Sequence, residues 1–428
     1  MLKYKIATVF LTLTSGLMMA QVDSLKMNFD LRTRGELDNG VKTLIPKGKS
    51  AETTVISRAR MGVDYYYKSL EVFVSAQDVR TWGETNSTAA KNQNFTLNEA
   101  WASYQFSDRF AAKLGRQILS YDNERLIGAL DWAMQGRSFD ALKGILRINK
   151  KNKIEAVVTY NNDDNDTNDL PEKEIYAVAD GGEITKSFQI IHYQYTGNKK
   201  LQLSAIVMNN VLQNPSGTHY DMLTMGINAK KYFERFGFFG SAYYQTGKNT
   251  LAQRKSAYQF SINSDFLIHP KFNVIAGTEW LSGNSFDTGS GRNNAFSPLY
   301  GTNHVFNGFM DYFYSGTSYF NSFGLNDYYL KSNLKINSDS SLQTNIHAFT
   351  SNGKLGFNAS GNSYSSYLGS ELDLVFTQKL GKLITANLGH SLMFAGESMK
   401  FLKNVPDPKK LQTWTWISLK IAPNFRLK

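Results

Sequence analysis

The 428 residues include no cysteine and only 8 prolines. Without cysteine there is neither a disulfide to staple the fold nor a thiolate to hold zinc, so burial and backbone pairing must do all the bracing. Past the N-terminus the chain also lacks any run of about 18–20 apolar residues, which excludes a membrane-spanning helix. Acidic residues are in deficit, 36 Asp and Glu against 47 Lys and Arg. No repeat of fixed period and no shift in composition marks a second domain.

Residues 1–20 carry Lys3 and Lys5, an apolar run from Ile6 to Leu13, and Met18-Met19-Ala20 before Gln21. That layout predicts a secretory signal peptide, leaving residues 21–428 as a single exported domain. Removing Lys3 and Lys5 from the 47 basic residues leaves 45 against 36 acidic ones. The excess points to an acidic partner, either lipid head groups or an anionic solute, and export argues against nucleic acid.

What is abundant is alternation. Leu25, Met27, Phe29 and Leu31 share one face and Asn28, Asp30, Arg32, Arg34 and Glu36 the other. Val55, Ala59, Met61, Val63 and Tyr65 likewise oppose Arg58, Arg60 and Asp64, and Tyr258, Phe260, Ile262 and Phe266 oppose Gln259, Ser261, Asn263 and Asp265. The same pattern recurs over 223–230, 327–336 and 368–377. A period of two with one apolar and one wet face is a β-strand, and such segments approach the roughly 9–11 residues that a tilted strand needs to cross a bilayer. The mean hydropathy of -0.36 is what such alternation averages to.

The connections carry independent information. Short turns at Tyr67–Ser69, Ser107–Arg109, Asn149–Asn152, Gly197–Lys200, Tyr232–Arg235, His269–Pro270, Ser338–Ser340 and Lys379–Lys382 alternate with longer stretches at about 37–52, 83–94, 118–138, 161–185, 210–218, 247–254, 283–325, 353–364 and 396–410. Eight turns and nine loops join eighteen strands, an even number, as in outer-membrane barrels with short periplasmic turns and long outer loops. The fold class predicted is therefore all-β, a transmembrane antiparallel β-barrel of 18 strands. The aromatic segment Phe306–Tyr314 would make an odd nineteenth strand and is assigned to the seventh outer loop. Tandem β-sandwiches, the soluble rival, would need linkers that the sequence does not show. Tyr65, Tyr66, Tyr67, Trp101, Tyr104, Tyr243, Tyr244, Trp280, Trp414 and Trp416 lie near segment ends and fit interfacial aromatic girdles. No cofactor is expected. A calcium ion in the tract Asp163–Asp169 is the weaker alternative to a solvated acidic loop, because the spacing is not that of an EF-hand.

The chain is organised around the loop between the segments Phe110–Gln117 and Phe139–Ile148. Its residues Gly115-Arg116-Gln117, Arg125-Leu126-Ile127-Gly128, Asp131-Trp132 and Gly136-Arg137-Ser138-Phe139-Asp140-Ala141 resemble the alginate-export family of outer-membrane channels. The similarity extends over most of the chain. The resemblance implies an eighteen-stranded monomeric barrel in the outer membrane of a Gram-negative bacterium, with an Arg-rich constriction that passes an anionic uronate polysaccharide outward, with periplasmic export partners possible. Many outer-membrane barrels finish on a terminal aromatic, whose nearest equivalent here is Phe425.

A polyuronate carries a carboxylate on every sugar, so its path needs replaceable cationic donors, and arginine binds carboxylate bidentately at any relevant pH. The expected pore-lining residues are Arg32, Arg34, Arg58 and Arg60 on two neighbouring strands, with Arg116, Arg125, Asp131, Arg137 and Asp140 from the third loop and its flanks. Against this stands a structural role, in which the four wall arginines pair with Asp30, Glu36 and Asp64. Strand parity puts Arg116 on the lipid face unless a bulge re-aims it or it lies above the membrane, and the loop either folds inward or braces the rim. Two other functions stay open: uptake of small acidic nutrients or oligosaccharides, and a barrel enzyme. His192, His219, His269, His304, His347 and His390 supply no Gly-x-Ser-x-Gly or His-Glu-x-x-His pattern, so the enzyme is the weakest of the three.

Overall fold

The computed structural model describes residues 24–427 except 86, 89–93, 162–183, 198–199, 215 and 315–322. The expected signal peptide and the Asp163–Asp169 tract lie outside the described residues. Eighteen antiparallel strands follow one another around a closed wall: β1 (Ser24–Asn39), β2 (Glu52–Tyr67), β3 (Leu70–Thr81), β4 (Phe95–Gln105), β5 (Phe110–Gln117), β6 (Phe139–Arg147), β7 (Asn152–Thr159), β8 (Ile184–Thr196), β9 (Leu201–Gln213), β10 (His219–Tyr232), β11 (Phe236–Lys248), β12 (Arg254–His269), β13 (Phe272–Leu281), β14 (Leu325–Lys335), β15 (Ser340–Thr350), β16 (Tyr367–Leu380), β17 (Ile384–Ala395) and β18 (Gln412–Ile421). β18 returns to β1 with Leu31 opposite Ile421 and Asn39 opposite Thr413. Closure leaves no strand edge to be satisfied in lipid.

The closing strand resumes as Asn424–Leu427, which pairs with Leu25–Asn28. Pro423 cannot donate to the ladder, so the strand breaks there, and its carbonyl instead accepts from the Phe29 amide at 3.0 Å. Phe425 meets Phe29 edge to face, ring centroids 6.0 Å apart, on the outward face. Short turns and long connections alternate where expected. The two-residue turn between β2 and β3 places Lys68 at φ +52°, the left-handed geometry that such a hairpin uses.

Parity sorts the side chains inside out relative to a soluble protein. Leu31, Met61, Leu114, Ile227 and Ile417 are exposed on the outer wall, whereas Arg58, Gln259, Glu279 and His347 are buried inside it. The same parity divides the girdle candidates. Tyr104, Tyr244 and Trp280 are exposed, but Trp414, Trp416 and Tyr243 are buried, and Trp101 lies under the Lys113 ammonium at 3.2 Å. These four point into the lumen, because their strand neighbours Thr413, Thr415 and Ile417, for example, occupy the outward positions. Phe306–Tyr314 is no strand. It follows a short 3-10 turn at Asn303–Val305 within the connection 282–324, and Met310, Tyr312, Phe313 and Tyr314 are fully buried.

Candidate functional site

Two connections, 118–138 and the described part of 282–324, fold into the barrel and narrow it. The first is held at three stations around the wall. At its start Asp122, with φ +56°, bonds His192 Nε2 on β8 at 3.1 Å and accepts from the Ser204 hydroxyl on β9. At its centre the buried Arg125 reaches β13, where Nη2 donates to Glu279 Oε2 at 2.8 Å and Nε lies 2.8 Å from Oε1. Nη2 also donates to Asn307 Oδ1 at 2.8 Å, and the guanidinium lies 4.5 Å from the Phe306 ring centre. At its far end Asp131 meets β1 and β2.

The two loops also pair with each other. The Gly128 amide donates to Tyr300 O at 2.9 Å and the Tyr300 amide to Leu126 O at 3.0 Å. A Cβ on Gly301 would stand 2.4 Å from the Arg125 carbonyl, so this approach requires glycine. Arg137 donates to the carbonyls of Tyr300 and of Gly301 (3.1 Å). Burial pushes its pKa down to about 10, which still leaves it charged at neutral pH. Leu119, Leu126, Ile127, Phe139, Phe188, Leu299 and Tyr300 form the apolar cluster beneath this junction.

The four wall arginines converge on the segment 131–135. Arg32 Nη2 lies 2.9 Å from Asp131 Oδ2 and its Nη1 donates to Asp131 O at 2.7 Å. Arg58, whose side chain is fully buried, joins Asp131 Oδ1 at 3.0 Å and Asp30 Oδ2 at 2.9 Å and donates to Met134 O at 3.0 Å. Arg34 binds Glu36 Oε1 at 2.7 Å and donates to Trp132 O at 3.1 Å. Arg60 is held by Gln77 Oε1 at 2.6 and 2.9 Å and donates to Gln135 O at 3.2 Å. Lys420 adds a fifth cation, 3.2 Å from Asp30. Burial alone would raise the Asp131 carboxyl, but Arg32 and Arg58 hold it below the usual carboxylate range.

Trp132 ties this segment to the second loop. Its ring stacks on His304 with centroids 4.2 Å apart, takes the Arg34 guanidinium at 4.2 Å, and meets Trp416 edge-on at 5.0 Å. His304 in turn bonds Asp311 Oδ1 through Nδ1 at 3.0 Å. The loop 282–324 is seated by Glu371 on β16, which accepts from the Met310 amide at 2.8 Å.

Of the residues expected to line the pore, Arg32, Arg34, Arg58, Arg60 and Asp131 come together, whereas Arg125 braces the first loop to the wall and Arg137 ties the two loops to each other. Arg116 and Asp140 do not belong with them. They pair with each other at 3.1 Å on the outward face, beside the exposed Leu114 and Leu142, because strand parity is unbroken there and no bulge re-aims them. The expected pairing of an arginine with Asp64 is also replaced, since Asp64 accepts from the Tyr66 hydroxyl at 2.6 Å. Sequence reasoning missed Glu279, Asp122, Trp132, His304 and Lys420. A signal existed for Glu279, the one charge in the strand Phe272–Leu281. On the turn side of the loops lies a cavity of about 670 Å³, lined among others by Lys143, Lys230, Lys331, Asp265, Glu155 and Tyr329.

The alginate-export family profile matches residues 23–407. No curated protein matches the sequence. Among solved structures, the outer-membrane protein OpdK of Pseudomonas aeruginosa superposes with a TM-score of 0.61 at 10% identity, covering 94% of this chain and 100% of that one. Acinetobacter baumannii OccAB4 gives 0.64 at 9% identity over 95% and 99%, and OpdK solved with vanillate gives 0.62 at 9% over 94% and 100%. At such identities the likeness is one of fold.

Proposed function

The chain belongs to the alginate-export family and is an outer-membrane channel, and from that premise we propose that it passes an acidic polysaccharide of the alginate type outward along the arginine wall. One observation carries the reading. At the inner tip of the first loop, Arg32, Arg34, Arg58, Arg60 and Lys420 face Asp30, Glu36 and Asp131, five cations against three carboxylates. An excess of fixed positive charge in a narrow lumen concentrates anions. Guanidinium forks exchange one carboxylate for another without changing their own charge. The family and fold are those of channels rather than enzymes.

Planar-bilayer reversal potentials under a salt gradient test the proposal, with anion preference expected and block by added oligouronates whose dwell time lengthens with chain length. Cation preference, or indifference to oligouronates, overturns it. Uptake of small acidic solutes or oligosaccharides is the second reading. It is favoured by the buried Arg125–Glu279 brace across the lumen and by a cavity of about 670 Å³, within the roughly 300–1,000 Å³ of small-molecule sites. Under that reading single uronate sugars carry current, while longer chains only obstruct it. Periplasmic export partners belong with the first reading, and a monomeric channel is proposed under both.

A further inference from the structure

We propose that Asp131 is a tethered stand-in for solute: a chain bearing several carboxylates takes over the wall arginines by displacing Asp131, and the segment 130–136 leaves the wall as it does so. The inference rests on the reading that the solute is acidic and adds how the loop answers it.

The ends of the loop are held differently. Arg125 and Glu279 have side chains 0% and 4% exposed, so that brace excludes water and competitors alike. At the other end the Arg58 side chain is 0% exposed but Asp131 is 53% exposed. The cations are built into the wall, and the anion that satisfies them is the part open to the lumen. Asp131 uses Oδ2 on Arg32 and Oδ1 on Arg58, the same donors that a sugar carboxylate would take.

The rest of the segment holds its arginines through neutral groups. Arg34 donates to the Trp132 carbonyl, Arg58 to that of Met134 and Arg60 to that of Gln135. Carboxylates bind guanidinium more strongly than carbonyls do. A solute with one carboxylate can replace only Asp131, whereas a polyuronate can replace the carbonyls as well, its later carboxylates arriving at high effective concentration. The device therefore selects chains over single acids. Asp30, Glu36 and Lys420 remain on the wall throughout and set the background charge.

The absence of native cysteine permits a direct test. Met134 is 2% exposed, so a thiol introduced as Met134→Cys is shielded while the segment is seated; Ala133→Cys, at a half-buried position, is the second reporter if the first does not fold, read by the same acceleration from a higher starting rate. Labelling by a neutral methanethiosulfonate should accelerate about tenfold in saturating oligomannuronate and much less in mannuronate monomer. The Asp131→Asn background should label fast with neither present, and its half-blocking concentration of oligomannuronate should fall by about tenfold as the self-occupied fraction is lost. Unchanged labelling in a channel that is anion-selective and blocked by oligomannuronate overturns the displacement while leaving the acidic-solute reading intact. A wild-type channel with neither selectivity nor block overturns both.

Discussion

Replacing Arg125 by methionine removes the central brace of the first loop, and the competing terms decide how the channel responds. Glu279 keeps two neutral donors, Gln259 Nε2 at 2.9 Å and Asn307 Nδ2 at 2.9 Å, but loses its charge partner while only 3% exposed. Breaking a buried pair on one side costs about 3–5 kcal/mol, and the remaining donors place this case near 3. Against that, Leu119, Leu126 and Ile127 are 1%, 2% and 0% exposed, and burial of each contributes about 1.5–3 kcal/mol. The apolar anchors outweigh the lost ion pair. The loop should thus stay seated on average while its open population rises about 150-fold, since 1.4 kcal/mol is a factor of ten. In single-channel records this appears as frequent brief openings rather than a larger resting conductance, with faster proteolysis within 118–138. Heat-modifiable gel migration should persist, because the strand ladder does not include Arg125. The double variant Arg125→Met with Glu279→Gln should recover much of the loss. Wild-type gating in a folded Arg125→Met channel, or strictly additive losses in the double variant, would refute the reasoning.

Changing Arg32, Arg34, Arg58 and Arg60 together to glutamine leaves Lys420 alone against Asp30, Glu36 and Asp131. Anion preference should invert near 0.1 M salt and fade toward 1 M, where the screening length falls to about 3 Å. Arg116→Ala should leave selectivity and block untouched, because Arg116 and its partner Asp140 lie on the outward face, away from the lumen. Lys403, in the connection 396–411, donates to Tyr312 O at 2.7 Å, and burial pushes its ammonium from the ordinary 10.5 down to about 7. The folded state then holds fewer protons than the unfolded one between those values, so seating of this connection should strengthen as pH rises from about 7 to 10.5. Hydrogen exchange around Tyr312 at pH 6 and pH 9 checks it, and Lys403→Met should flatten the difference.

The barrel was legible in the sequence because its rule is local. Alternation over a few residues says which face of β1 or β2 meets lipid, and the positions of turns such as Lys68-Ser69 follow from where alternation stops. The inward course of the loops was not legible, because each station joins residues far apart in sequence: Asp131 lies 99 residues from Arg32, and Arg125 lies 154 from Glu279. No period connects such pairs. Two misassignments had a different origin. Arg116 and Asp140 join the lumen set only through membership of a charged motif, although parity puts Arg116 outside. Trp414 and Trp416 fit a girdle only by residue type, although Thr413, Thr415 and Ile417 fill the outward positions. In both, the local geometric rule was the better guide than the company the residue keeps.

The loop 118–138 is one chain segment with two kinds of attachment, and this division bears on how such a channel works without cysteine. Residues 119–128 are fixed by the apolar cluster around Leu126, Ile127 and Tyr300 and by a buried ion pair, neither of which a soluble anion can replace. In 129–136 only Met134 is buried, and the remaining hold is a half-exposed carboxylate with four carbonyls, the Leu130 amide on Thr302 Oγ1 and the Trp132 stack. Leu130, at the join, takes φ +50°, a left-handed conformation that costs a leucine of order 1 kcal/mol and that is relieved when the far half lets go. Motion is thereby confined to the half that carries Asp131, and the half that crosses to β13 keeps the lumen from opening into a wide pore when a solute passes.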